Sequence, residues 1–422
     1  MINTWPLTIF QPVFSCGKNI SSIVVATLVD KGLLKYDAKV AEYWPEFGIN
    51  GKENIKIEDI LRHEGGLTTL KHSFERNEFS KQNIKNNVLG NVIESCEAIY
   101  PKNHSNIDGT ISKRSYHSTT RGLILNEIVR RVDPKGRTIG EICREDLELD
   151  DLYCGIRDKE FEQLTRLEAN TLGWVAAQSI LPYFLGSSVH ISIFDLYRLT
   201  KFMQGIREKV GSQRPIIKNL PKDPKDHHTT YEHPETRKGE IPSANFHGNA
   251  RSLAKLASIM ANKGKCEENG KQLFSENTWT KMHDNSTWAT DAILGNFCKL
   301  ARICFTLITL CPSNYSHNIY SFFIWRNILG IRTCFTQGGV NKFDDPDEPN
   351  AFEAPLMGLR SGYFGWYGFG GSVMQWDPSF KIGFGYTPTL VQWYDFQNTK
   401  GAMLQKIVSE CTSKLNNVRS HM

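Results

Sequence analysis

Ser15 and Lys18 stand three residues apart where a helical stretch begins, so both side chains fall on one face within about one turn. A serine hydroxyl is a poor nucleophile at neutral pH and needs a base beside it. A helix N-terminus adds free N–H groups that can stabilise developing negative charge. Read alone, Ser15-Cys16-Gly17-Lys18 is also what an N-cap serine followed by a solvated lysine looks like. A second cluster, Asp226-His227-His228 with Glu232-His233, carries metal-ligand residue types. It sits in a polar stretch without a second ligand cluster, reads as a solvated loop, and implies no metal.

The elements that must hold these residues follow from periodicity. Apolar residues at 20, 23, 24, 28 and 29 mark one helix face, and Gly32 suits the helix stop. A short helix over 55–61 ends before His63-Glu64-Gly65-Gly66, where His63 reads as a structural residue ahead of the turn. An amphipathic helix covers 119–132 and is ended by Pro134-Lys135-Gly136. Further helical stretches are expected at 139–147 and 193–203, and a long exposed loop at 214–240. Beyond it, Leu253, Leu256, Ala257 and Met260 define a helix over 249–262. Two strands, 371–376 and 381–387, flank the turn Asp377-Pro378-Ser379, and a terminal helix spans 401–415. The expected fold is α+β, an antiparallel sheet flanked by helices with an inserted helical domain. Residues 1–58 and 241–422 form the sheet domain, and 59–240 the mainly helical one.

Several stretches in order carry a resemblance. They are Ser15-Cys16-Gly17-Lys18, Ala26-Thr27-Leu28-Val29-Asp30-Lys31-Gly32-Leu33-Leu34, Val40-Ala41-Glu42-Tyr43-Trp44-Pro45-Glu46-Phe47, Asp59-Ile60-Leu61-Arg62-His63-Glu64-Gly65-Gly66-Leu67, Ser115-Tyr116-His117-Ser118, Pro242-Ser243-Ala244-Asn245 to Asn249-Ala250-Arg251, Thr336-Gln337-Gly338-Gly339 and Phe364-Gly365-Trp366-Tyr367-Gly368-Phe369-Gly370-Gly371-Ser372. This succession resembles the serine β-lactamase-like family, in its branch of class C β-lactamases, family VIII carboxylesterases and animal β-lactamase domain-containing proteins. It runs from Ser15 to about residue 410.

The resemblance implies roles. Ser15 would be the acylated nucleophile, Lys18 its activating neighbour and Tyr116 the second base. An ammonium beside a tyrosine favours the phenolate, so a Lys–Tyr pair could take the serine proton. The backbone N–H groups of Ser15 and Phe369 would form an oxyanion hole, and Ser118, Trp366, Tyr367 and Gly368 would meet the substrate. The glycine-rich run is no phosphate loop, since no Gly-Lys-Ser/Thr follows it. Two departures bear on specificity. Ser118 stands where many relatives have asparagine, and Trp366 where β-lactamases have lysine. An uncharged indole argues against recognition of a β-lactam carboxylate and for an aromatic acyl pocket. The resemblance thus implies a serine hydrolase acting through an acyl-enzyme on a small ester or amide, an esterase rather than a β-lactamase, without cofactor. The alternative is a degenerate scaffold kept for binding or assembly.

Composition excludes other classes. The 422 residues allow one large domain or two to three ordinary ones. A net charge of +5 without a basic block argues against nucleic-acid binding. The ten cysteines are scattered and include no Cys-x-x-Cys. With no signal peptide visible, an intracellular, cytoplasmic location is favoured. The run 303–325 lacks Asp, Glu, Lys and Arg but holds Pro312, Asn314, His317 and Asn318 in its middle, so no membrane span is expected. Residues 299–332 read as an atypical insert. Only fourteen residues precede Ser15, fewer than two strands and a turn need, so the sheet is expected to lack its N-terminal strands. A raw sheet edge would then promote association, compatible with a homo-oligomer, and weaken hydrolysis.

Overall fold

The structure, a computed structural model, describes residues 9–171 (apart from 103, 107, 148 and 150), 215–221, 226–294, 332–343, 360–392 and 398–419. Its first strand, β1 (Gln11–Pro12), leads through a short 3-10 turn into helix α1 (Gly17–Asp30). Twelve of the fourteen α1 residues are buried, from Gly17 to Leu28. Its sequence is small or apolar nearly all round, which suits a helix enclosed on every side. Gly17 is required by a close approach, because a Cβ there would lie 2.3 Å from the carbonyl oxygen of Pro242. Gly32, at φ +70°, turns the chain away at the other end.

Helices α2 (Ile57–Leu61), α3 (Thr120–Val132) and α4 (Ile139–Glu145) lie where periodicity puts them, each within about two residues. The two-residue strands β2 (Leu152–Tyr153) and β3 (His247–Gly248) join β1 in a small antiparallel sheet ordered β1-β3-β2.

The stretch 214–240 differs from the expected exposed loop. It contains α5 (His227–Glu232) and α6 (Pro234–Lys238), and Thr230, Thr236 and Glu240 are buried. The buried positions are polar, so no apolar period marks them. Thr138 Oγ1 donates to Glu240 Oε1 at 2.8 Å, and His233 caps α6 by accepting from the Glu235 N–H. Among the described residues no group of three or more His, Cys, Asp or Glu could hold a metal.

Helix α7 (Ala250–Ala261) and helix α8 (Glu276–His283) precede strand β4 (Thr287–Thr290), which pairs antiparallel with β5 (Arg332–Phe335). Arg332 therefore belongs to a strand, opposite Thr290, rather than to an insert ending at 332. The rest of that segment, the run 303–325 and the helical stretch 193–203 lie outside the described residues.

The main sheet is antiparallel, ordered β6 (Phe364–Tyr367), β7 (Val373–Asp377), β8 (Ile382–Tyr386). The β7–β8 turn is held by Asp377, whose Oδ1 accepts from the N–H groups of Ser379 and Phe380. Register fixes the two faces. Met374 lies opposite Gly385 and Trp376 opposite Gly383, so these four share one face. The two glycines let α7 lie flat there, since a Cβ on Gly383 would sit 2.1 Å from the Ser258 nitrogen. Val373 and Gln375 point the other way, toward the terminal helix α9 (Thr399–Arg419), where Gln405 Nε2 donates to Gln375 Oε1 at 2.6 Å. A buried cluster runs from Val13 through α1, α3 and α7 to Trp376. Among the described residues no helix is long and apolar enough to cross a membrane.

Candidate active site

Ser15 sits in the 3-10 turn Phe14–Cys16 that opens α1. Phe14 adopts φ +47°, a left-handed conformation costly for a bulky residue. Its ring is fixed edge-on against Tyr231 of α5 and against Phe369, both at 5.6 Å between centroids. Below the turn, Ser372 Oγ donates to the Val13 carbonyl at 2.8 Å.

Lys18, one turn on, is 3% exposed. Its Nζ lies 3.1 Å from Ser15 Oγ, 2.7 Å from the Ser118 carbonyl oxygen and 3.1 Å from that of Ser243. Burial first, and the Arg121 charge second, hold its pKa well below the usual lysine range. A neutral amine has two N–H bonds and one lone pair. In that form the two carbonyls would take the N–H bonds and the lone pair would face the Ser15 hydroxyl.

Tyr116 comes to the same oxygen from the segment ahead of α3. Its Oη donates to Ser15 Oγ at 2.9 Å and accepts from the indole Nε1–H of Trp366 at 3.1 Å. Burial pushes Tyr116 up to about 12, partly offset by these two hydrogen bonds, so it is a phenol at neutral pH. Burial thus works against both halves of the expected ammonium–phenolate pair, lowering the pKa of Lys18 and raising that of Tyr116. Behind Tyr116, Asp291 Oδ1 accepts its backbone N–H at 3.2 Å and the His63 ring packs at 4.7 Å. His63, at φ +66°, accepts from the His117 N–H through Nδ1.

Strand β6 brings the glycine-rich run alongside. Trp366 is 6% exposed, stacks on Tyr367 at 4.9 Å and packs against Phe335 at 5.4 Å. Gly368 N–H donates to the Ser372 carbonyl at 2.7 Å, and a Cβ on Gly368 would lie 2.4 Å from the Val13 oxygen. Gly368 therefore seats Phe369 beside the Ser15 turn. Ser15 and Phe369 both belong to short 3-10 turns, whose first N–H groups lack intrahelical acceptors.

The chain matches the beta-lactamase family over residues 8–404. It belongs to that family. A curated relative, the esterase/beta-lactamase LipL of Mycobacterium tuberculosis, is 26% identical over 272 residues, covering 62% of this chain and 53% of LipL. The chain thus spans about half the length of that relative. Three solved structures share the fold. A family VIII carboxylesterase superposes with a TM-score of 0.61 at 17% identity, covering 95% of this chain and 85% of its own. EstA from Arthrobacter nitroguajacolicus gives 0.58 at 17%, covering 95% and 86%. A penicillin-binding protein homolog from Caulobacter crescentus gives 0.57 at 21%, covering 95% and 85%.

Of the residues singled out in the sequence of this beta-lactamase family chain, Ser15, Lys18, Tyr116 and Trp366 form one hydrogen-bonded chain. Tyr367, Gly368 and Phe369 line its edge. Ser118 contributes its carbonyl oxygen, which accepts from Lys18, and not an amide such as asparagine would offer. Ser243, Ser372, Asp291 and Arg121 were not picked out as site residues. Ser243 and Ser372 stand inside stretches that carry the resemblance, whereas Asp291 and Arg121 carry no local signal. Trp366→Phe keeps an aromatic wall but removes the donor to Tyr116. It should lower kcat/KM by about 3- to 10-fold, the value of one neutral hydrogen bond. Ester hydrolysis measured from pH 6 to 10 checks this, and an unchanged rate would make Trp366 a pocket wall only.

Proposed function

We propose that this protein is a serine hydrolase that cleaves a small ester, or an activated amide, through an acyl-enzyme on Ser15. One observation carries the reading: Ser15 Oγ is in hydrogen-bond contact with both Lys18 Nζ and Tyr116 Oη. Ser15 Oγ attacks the acyl carbon as its proton passes to the Lys18 amine. The carbonyl electrons move onto oxygen, which the N–H groups of Ser15 and Phe369 receive. The intermediate collapses, the bond to the leaving oxygen breaks, and that oxygen takes the Tyr116 proton. The Lys18 ammonium then reprotonates Tyr116. Water repeats the sequence: its proton goes through Tyr116 to Lys18, its oxygen attacks the acyl carbon, and Ser15 leaves with a proton from Lys18.

The wall of the site favours an ester. Trp366, Tyr367, Phe335 and Phe14 offer aromatic surface, and Trp366 offers no positive charge to a β-lactam carboxylate. The name of the curated relative, esterase/beta-lactamase, accommodates both activities. Exposure to a fluorophosphonate followed by intact-mass analysis should add one label to the wild type and none to Ser15→Ala. Equal labelling of the two removes the proposal. On substrates, kcat/KM for a short-chain p-nitrophenyl ester should exceed that for a chromogenic cephalosporin, and Trp366→Lys should narrow the gap.

A further inference from the structure

Arg121 is the second residue of α3, and its side chain is 0% exposed. Its Nε donates to the Leu61 carbonyl at 3.2 Å and Nη1 to the Lys18 carbonyl at 3.0 Å. Its Nη2 donates to Ser22 Oγ at 2.6 Å and to the Gly339 carbonyl at 3.3 Å. Every one of these acceptors is neutral. By contrast, the buried Arg62 pairs with Glu58, Arg114 with Glu64 and Arg137 with Asp133. Among the described residues no acid forms an ion pair with Arg121. A buried cation without a counter-charge is expensive, and its field is poorly screened.

That field falls on the hydrogen-bonded chain around Ser15. We propose that Arg121 is a positioning residue for the reaction: its uncompensated charge, fixed on the backbone carbonyl of Lys18, keeps the lysine as a free amine facing Ser15 and drives a captured proton onward to the leaving group. The proposal rests on reading Ser15 and Lys18 as nucleophile and base. Among the charges around Lys18, Arg121 is the dominant one, second to burial in lowering its pKa. On the lysine's own turn, Cys16 is a thiol pushed up to about 12 by burial. From the segment before α3, Tyr116 is a phenol and His117 is neutral, with a pKa lowered to about 4 mainly by burial. From the loop after α2, His63 is held well below its usual value by burial and then by Arg121. Arg114 is paired with Glu64, and Asp291, behind the Tyr116 backbone, has its pKa raised by burial.

Arg121 also ties α1, α2 and the Gly339 turn together, so the test must separate charge from scaffolding. The measurement is the rate of fluorophosphonate labelling at Ser15 across pH, with thermal melting as the fold check. In Arg121→Gln the acid limb should move up by about one pH unit or more, slowing labelling tenfold on that limb. Arg121→Lys should retain the wild-type limb. Should Arg121→Gln fail to fold, Ser22→Asp sets a carboxylate against Nη2 while keeping the guanidinium. It should shift the limb in the same direction, whereas the neutral isostere Ser22→Asn should not. A loss that is uniform across pH, or equal limbs in Ser22→Asp and Ser22→Asn, reduces Arg121 to a structural tie and leaves the nucleophile reading intact. No labelling of the wild type at Ser15 overturns both.

Discussion

Lys18→Met is expected to slow acylation of Ser15 by about 10²- to 10⁴-fold, the range for a lost general base. Methionine fills nearly the same space as the lysine stem, so the packing of α1 should survive. The carbonyls of Ser118 and Ser243 each lose a donor, which costs about 1–3 kcal/mol apiece if they stay dry. The melting temperature should therefore fall while unfolding stays cooperative. The pH profile discriminates more sharply than the rate. In the wild type, rate is lost as pH falls and Lys18 protonates, because its pKa lies below the usual lysine range but the amine still titrates. Lys18→Met should lose that limb altogether. If labelling stays within about threefold of wild type, Lys18 is not the base and the role passes to Tyr116.

What the sequence disclosed depended on whether the determining contact was local. Helix α1 was legible because its apolar spacing is continuous, and the β7–β8 hairpin because Asp377-Pro378-Ser379 has turn chemistry of its own. Helices α5 and α6 carry no apolar period because they bury threonines, and the chain just after them is held by a partner about a hundred residues away, Thr138 on Glu240. The same distinction runs through the site. Ser15 and Lys18 are neighbours on one turn, so spacing alone joins them. Tyr116 and Trp366 reach Ser15 across 101 and more residues of chain, and only the family resemblance joined them. Nothing near Arg121 in sequence announces a buried unpaired cation. Its acceptors come from α1, the end of α2 and the Gly339 turn. The protonation states were also illegible, since reference pKa values suggest an ammonium beside a phenolate until burial is known.

Gly368→Ala should reduce kcat/KM by about 10²- to 10³-fold, the value of one oxyanion-hole donor. The backbone there, φ −102° and ψ 158°, suits alanine, so the effect is one of contact and not of dihedral strain. The new methyl would stand 2.2 Å from Ser372 Oγ and 2.4 Å from the Val13 oxygen. The hydroxyl can rotate away, but the Val13 carbonyl also receives the Cys16 N–H at 3.2 Å and cannot yield without moving the Ser15 turn. Relief therefore separates Phe369 from Ser15 and spoils the convergence of their two N–H groups. The loss should fall on kcat and on fluorophosphonate labelling together, because both pass through a charged oxygen at that point. Gly383→Ala is the matched control. Its methyl would meet the Ser258 nitrogen of α7 at 2.1 Å, and not the Val13 carbonyl or the Ser15 turn. It should lower stability by about 1–3 kcal/mol, the usual cost of overpacking, while the folded fraction labels at the wild-type rate. If Gly368→Ala is merely destabilised in the same way, with labelling per folded molecule unchanged, Phe369 does not supply the second oxyanion donor.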